Sequence, residues 1–123
     1  MKAPKILIVD DDPSLQKLYE TALKTRGYRV VIEDNGESAL QTIDKENPDL
    51  VLLDVMMPNI HGLHVLEILR STPETKNLKI IILTALDNRD IREKAIALGA
   101  NEFVVKTQVT IGDIMELIKK ILG

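Results

Sequence analysis

The chain contains no cysteine and no tryptophan, and its only aromatic residues are Tyr19, Tyr28 and Phe103. Without cysteine there is no disulfide, no thiol nucleophile and no thiolate metal site, which suits a reducing compartment. With 2 % aromatic against 45 % hydrophobic residues, the core must be built from aliphatic side chains. Long apolar runs are also missing. The N-terminal MKAPK leads into a short strand-like stretch interrupted by aspartates, with no signal core, so a cytoplasmic location is expected. There is no excess of positive charge either. The formal net charge is −3 with mixed signs along the chain, so neither direct nucleic-acid binding nor membrane insertion is expected. A length of 123 residues is enough for one core and leaves little room for a second module, so one domain over residues 1–123 is expected.

Against this background, four short apolar runs each end on a residue able to handle phosphate or metal. They are KILIVDDD at 5–12, VLLD at 51–54, IILT at 81–84 and FVVK at 103–106. Runs of this length and apolarity read as strands covered on both faces. A more mixed run, Arg29 to Glu33, reads as an edge strand. Between them lie segments of helical period. Leu15, Leu18, Tyr19, Ala22 and Leu23 follow Asp12-Pro13, where Asp can cap and Pro can occupy the first turn, and the helix stops at Gly27. Further helices are expected from about Gly36 to Glu46, from Gly62 to the region of Pro73, from about Asn88 to Leu98 with Gly99 as stop, and from about Ile111 to Leu122. Strands and helices alternating five times with short connections imply an α/β fold, a (βα)5 doubly wound parallel sheet. The flavodoxin-like strand order 2-1-3-4-5 would place the ligand between the first and third strands, at their carboxyl ends. Those ends carry Asp10, Asp11 and Asp54.

Three converging carboxylates repel, and such a cluster persists only if protons or a cation offset the charge. A hard divalent ion is the natural solution, since Mg2+ takes one or two carboxylates and keeps positions for water and phosphate oxygens; Mn2+ could take its place. Asp11 and Asp54 could supply carboxylates, the main-chain carbonyl of Met56 a further oxygen, and Asp10 could hold a coordinated water. An aspartate can also attack phosphorus to form an acyl phosphate, and Asp54 is placed for that. The remaining needs of phosphoryl transfer are a cation and a donor hydroxyl, which Lys106 and Thr84 supply. Taken singly each residue has a plainer reading: a solvated lysine, a strand-end threonine, acidic strand ends. Asp12 before Pro13 reads as a helix cap rather than a ligand.

Together these residues resemble the response-regulator receiver domain, the CheY-like family of two-component signalling, and the match covers essentially the whole chain. The family pattern is an acidic pair after the first strand, here Asp10 and Asp11, and a phosphorylated Asp followed by Met-Pro and Gly, here Asp54, Met57, Pro58 and Gly62. A Thr or Ser follows the fourth strand and a Lys the fifth, here Thr84 and Lys106. The resemblance implies that Asp54 accepts phosphate from the phosphohistidine of a sensor histidine kinase or phosphotransfer protein. It implies one Mg2+ at the acidic pair, with Thr84 and Lys106 on the phosphoryl oxygens. The family also couples Thr movement to an aromatic three residues before the Lys. That position is Phe103, for which a core role and a switching role stand equally open.

Departures from the pattern add detail. Family members usually carry Pro after the Lys, often through a cis bond, but here Thr107 follows. A cis bond to Thr would cost about 3–4 kcal/mol, so a trans Lys106-Thr107 bond is expected. Met56 and Leu86, two residues after Asp54 and Thr84, occupy positions that the family associates with the lifetime of the phosphate. Neither can orient an attacking water, so a long-lived phospho-Asp54 is expected. His61 and His64 read as surface residues rather than ligands. By resemblance this is a single-domain regulator, not an enzyme acting on other molecules, that signals by altered binding to an unnamed protein target. Arg89, Arg92 and Ile96, with Phe103 and Val105, form a candidate output surface. A monomer is expected, with a phosphorylation-dependent dimer left open. The alternatives are a stand-alone Mg-dependent aspartyl phosphohydrolase, disfavoured because Met56 stands where that chemistry places a second Asp, and an unphosphorylated structural domain of the same fold.

Overall fold

In the computed structural model, which describes residues 2–57 and 61–123, five strands alternate with five helices. They are β1 (Lys5–Val9), α1 (Pro13–Thr25), β2 (Arg29–Glu33), α2 (Gly36–Glu46), β3 (Leu50–Leu53), α3 (Gly62–Ser71), β4 (Lys79–Thr84), α4 (Arg89–Ala97), β5 (Glu102–Val105) and α5 (Ile111–Leu122). All strand pairs are parallel, and the sheet order is β2-β1-β3-β4-β5. This is the flavodoxin-like arrangement expected from the alternation. No helix among the described residues is long and apolar enough to cross a membrane.

Successive side chains of a strand point to opposite faces, and the apolar runs therefore divide between two cores. Leu7 and Val9 of β1, Val51 and Leu53 of β3, Ile80 and Ile82 of β4, and Phe103 and Val105 of β5 pack with α2, α3 and α4 on one face. Ile6, Ile8, Leu50, Leu52, Ile81 and Leu83 pack with Tyr19 and Leu23 of α1 and with Ile114, Met115 and Ile118 of α5 on the other. Because both faces are covered, the central strands need no polar side. That explains why they read as unbroken apolar runs while edge strand β2, only half-buried, reads as mixed.

Helix ends follow local chemistry. The Asp12 carboxylate accepts from the amides of Ser14 and Leu15 at the start of α1, with Pro13 in the first turn. Asn35 and Asn88 cap α2 and α4 in the same manner, and Thr110 and Asp113 form a reciprocal capping box at α5. At α3 the cap is His61, whose Nδ1 accepts from the Leu63 amide at 3.1 Å, a role beyond the plain surface residue expected from sequence. Within α3, Val65 is buried with Leu66 and Leu69, whereas Leu63 and Ile68 are half-buried. The Lys106-Thr107 peptide is trans and opens a 3₁₀ turn over Lys106–Gln108.

Candidate functional site

Strand register sets the site. Val9 pairs with Leu53, so Asp10 and Asp54 are the first residues beyond two adjacent strands, and the Asp54 amide donates to the Val9 carbonyl at 3.0 Å. Thr84 pairs with Val105, which brings Lys106 out one step beyond Thr84. Asp10, Asp11 and Asp54 present carboxylate oxygens within 4.8 Å of one another. Asp10 and Asp54 are 3 % and 6 % exposed, whereas Asp11 is exposed.

Lys106 reaches back across the sheet to this cluster. Its ammonium lies 2.5 Å from Asp10 Oδ2 and 3.1 Å from Asp54 Oδ2. Burial pushes the Asp10 carboxyl above its ordinary value, and the Asp54 charge pushes the same way, against the hydrogen bonds from Lys106 and from the Asp12 amide. Burial also works against the charge of Lys106. The hydrogen bond to Asp10 and the charges of Asp54 and Asp10 outweigh it, so Lys106 holds its proton more firmly than an ordinary lysine. The remaining oxygen of Asp54, Oδ1, accepts from the Met56 amide at 2.9 Å. This bond fixes the carboxylate plane and the first residue pair after β3 together.

Thr84 is fully buried, and its Oγ1 accepts from the Leu86 amide at 3.3 Å. Among the described residues this hydroxyl donates to no partner, and an O–H can rotate toward an acceptor. Gly62 explains how α3 comes so close: a Cβ there would lie 2.3 Å from the Asp54 carbonyl oxygen and 2.6 Å from Val55 Cα. Pro58, the other loop residue of the family pattern, lies outside the described residues. Met56 is 53 % exposed at the rim, and Leu86 is half-buried against the α2–α4 side of the core.

Of the candidate output surface, Arg89, Arg92 and Ile96 are exposed on α4. Phe103 is buried at 6 % exposure, with the Arg92 guanidinium 5.0 Å from its ring centroid. Val105 corrects the expectation of an exposed partner there. At 2 % exposure it belongs to the core, because the even spacing from Phe103 puts both on the inner face of β5.

One residue that the sequence did not single out belongs to the site's frame. The Gln16 carboxamide, one turn into α1, donates from Nε2 to the Asp10 main-chain carbonyl. A polar residue at that spacing after an acidic strand end is too common to stand out.

The family profile described as "Response regulator receiver domain" matches residues 6–119, and the chain belongs to that family. Among curated relatives, "Probable transcriptional regulator ycf27" of Porphyridium aerugineum is 40 % identical over 106 residues, covering 86 % of this chain and 43 % of that relative. The chain thus spans about two fifths of the length of the curated relatives it matches. Among solved structures, the BeF3-activated N-terminal receiver domain of RstA from Klebsiella pneumoniae superposes with a TM-score of 0.89 at 31 % identity, covering 96 % and 97 % of the two chains. A CheY-like receiver domain protein from Methanospirillum hungatei JF-1 gives 0.90 at 28 % identity, with 98 % and 94 % covered. The protein is a response-regulator receiver domain of two-component signalling.

Proposed function

We propose that Asp54 is the phosphoryl acceptor of this receiver and that the transfer depends on one divalent cation, Mg2+ in the cell, with Mn2+ an effective substitute. In the reaction a carboxylate oxygen of Asp54 attacks the phosphorus of a phosphohistidine. The new O–P bond forms as the N–P bond breaks, and the released imidazole takes up a proton. The observation that carries this reading is the convergence of Asp10, Asp11 and Asp54 with the Lys106 ammonium already on the Asp54 oxygen.

The donor chemistry fits a hard divalent cation: among the described residues the group consists of three carboxylates, with no histidine or cysteine. Asp10, Asp11 and Asp54 would hold it, with the Met56 main-chain carbonyl as a further oxygen. When bound, it supplies charge neutralisation for the phosphoryl oxygens and the Asp54 nucleophile. Lys106 would neutralise a phosphoryl oxygen, and Thr84 would donate its hydroxyl to another. The BeF3-activated relative supports this assignment, since beryllium trifluoride on a carboxylate mimics a tetrahedral phosphoryl group.

The donor is a sensor histidine kinase or phosphotransfer protein. An apolar recess of about 340 Å3 beside Lys106, lined by Leu15, Leu18, Val109 and Ile111 among others, gives such a protein a place to dock. Output is by altered binding to another protein, with the exposed α4 face around Arg89, Arg92 and Ile96 as the candidate surface. The chain modifies only itself and is not an enzyme acting on other molecules.

Incubation with Mg2+ and acetyl phosphate, read by intact-protein mass, tests the acceptor. One covalent phosphate, absent in Asp54→Ala, is expected. Steady release of inorganic phosphate over many turnovers would favour a phosphohydrolase instead, and no adduct under any divalent cation would favour a purely structural domain.

A further inference from the structure

The segment Asp10 to Asp12 is held by a small set of bonds, one of which reaches a main-chain carbonyl from a side chain of α1. The Asp10 amide donates to the Glu33 carbonyl of β2 as the last rung beyond the β1–β2 pairing. Asp10 Oδ1 accepts from the Asp12 amide at 3.0 Å, and the Asp12 carboxylate is committed to the amides of Ser14 and Leu15. The Asp10 carbonyl lies past the end of the ladder, and Gln16 Nε2 meets it at 2.5 Å. This bond ties the peptide between Asp10 and Asp11 to the first full turn of α1, and that peptide's orientation determines where the Asp11 side chain leaves the backbone.

The charge of the tie matters as much as its geometry. Three carboxylates and one ammonium leave the cluster with two formal negative charges, which one divalent cation balances. A lysine or arginine could reach the same carbonyl, but it would bring a positive charge to the cluster and compete with the cation. A carboxamide donates without altering the balance.

We infer that Gln16 is a positioning residue for the divalent cation: by holding the Asp10 carbonyl with an uncharged donor it presets the Asp10–Asp11 turn and thereby sets the affinity of the site. The inference rests on the metal reading given above. Groups that orient metal ligands from behind typically change affinity by about 10–100-fold when removed. Gln16 acts on the ligand's main chain rather than on its carboxylate, so the lower end of that range, about tenfold, is expected.

The test compares wild type, Gln16→Met and Gln16→Ala as full chains by titration with Mn2+ alone, followed by electron paramagnetic resonance, with no phosphodonor present. Gln16→Met keeps the length and packing of the side chain and removes only the donor; Gln16→Ala serves if the first variant folds poorly. The expected result is Mn2+ binding about tenfold weaker than wild type, with cooperative unfolding retained in metal-free buffer. Amide hydrogen exchange adds a local readout, with the Asp12 amide exchanging faster in the variants while the β3 amides keep wild-type protection. Wild-type affinity in a folded variant, or uniform loss of protection across the sheet, overturns the inference and leaves the metal site standing. Failure of the wild-type chain to bind Mn2+ overturns the metal reading and this inference with it.

Discussion

The Lys106 ammonium pairs with the Asp10 carboxylate at 2.5 Å across 96 residues of sequence, and both side chains are less than one tenth exposed. The pair is therefore a long-range tie between the first and last strands, made where water is scarce. Breaking such a pair from one side costs more than the pair is worth, because the remaining charge stays buried and unpaired. Lys106→Met leaves Asp10 and Asp54 facing each other without the ammonium. Metal-free stability is expected to fall by about 3 kcal/mol, the lower end for a broken buried pair since a proton on Asp10 relieves part of the strain. Mn2+ affinity is expected to rise, because the uncompensated negative charge increases. Urea unfolding in chelator and a Mn2+ titration check both signs; unchanged affinity would mean that Lys106 and the cation do not share the same field.

The raised pKa of Asp10 makes stability depend on pH in a particular direction. The folded chain holds the Asp10 proton more firmly than the unfolded chain, whose carboxyl titrates near 3.8. Stability from this group therefore increases as pH falls through its raised value, and the gain is complete below 3.8. Asp10→Asn removes the titration and the burial cost together and, unlike Lys106→Met, leaves no charge unpaired, because the Lys106 ammonium keeps Asp54 Oδ2 at 3.1 Å. In chelator it is expected to melt above wild type at pH 7, with the advantage shrinking on acidification. Millimolar Mg2+ should reverse the order by stabilising wild type alone. Thermal melts at several pH values, with chelator and with Mg2+, provide the check. A variant less stable than wild type at pH 7 in chelator would show that the pairing with Lys106 outweighs burial.

The strand ends were legible from sequence because a doubly covered parallel sheet writes its strands as apolar runs. Parallel register then aligns the residues that follow them, which is how Asp10, Asp54, Thr84 and Lys106 come to one edge. What stayed hidden depends on which way a side chain turns after its backbone is placed. Val105 looked available for a surface, yet the two-residue period shared with Phe103 sends it inward. Arg92, placed on a candidate output surface, is exposed there, and the contact of its guanidinium with the Phe103 ring is what the sequence did not show. The His61 cap and the Gln16 tie are single bonds from polar residues with many alternative partners, and neither leaves a periodic trace.

Gly62 sets the approach of α3 to the acceptor. Any side chain at this position would overlap the Asp54 carbonyl and the Val55 backbone, and backbone atoms cannot yield as a flexible side chain can. Gly62→Ala must therefore push the start of α3 away from the end of β3. The cost is expected to be roughly 1–3 kcal/mol, typical of overpacking in a close-fitted region. The Met56-to-Asp54 hydrogen bond lies on the displaced connection, so phosphorylation by acetyl phosphate should slow as well. Urea unfolding and the initial rate of adduct formation measure the two effects. Wild-type values for both would show that α3 does not need this contact.

Met56 and Leu86 bear on how long the signal lasts. Loss of the phosphoryl group requires water to attack phosphorus in line with the Asp54 oxygen, and a side chain that orients or deprotonates that water speeds the step. Met56 stands exposed at the rim, anchored through its amide to Asp54 Oδ1, and its thioether is no base. Leu86 follows Thr84 on the neighbouring loop and packs partly into the core. Neither position offers a group that could direct water, so phospho-Asp54 is expected to decay slowly in Mg2+ buffer. Met56→Glu places a carboxylate at the rim without touching the cation ligands' side chains, and an acceleration of about tenfold or more is expected. Leu86→Ala removes apolar cover without adding a base and should have a smaller effect. Decay of the mass adduct over time in wild type and both variants decides the matter. A wild-type decay already as fast as Met56→Glu would show that water reaches phosphorus without help from either residue.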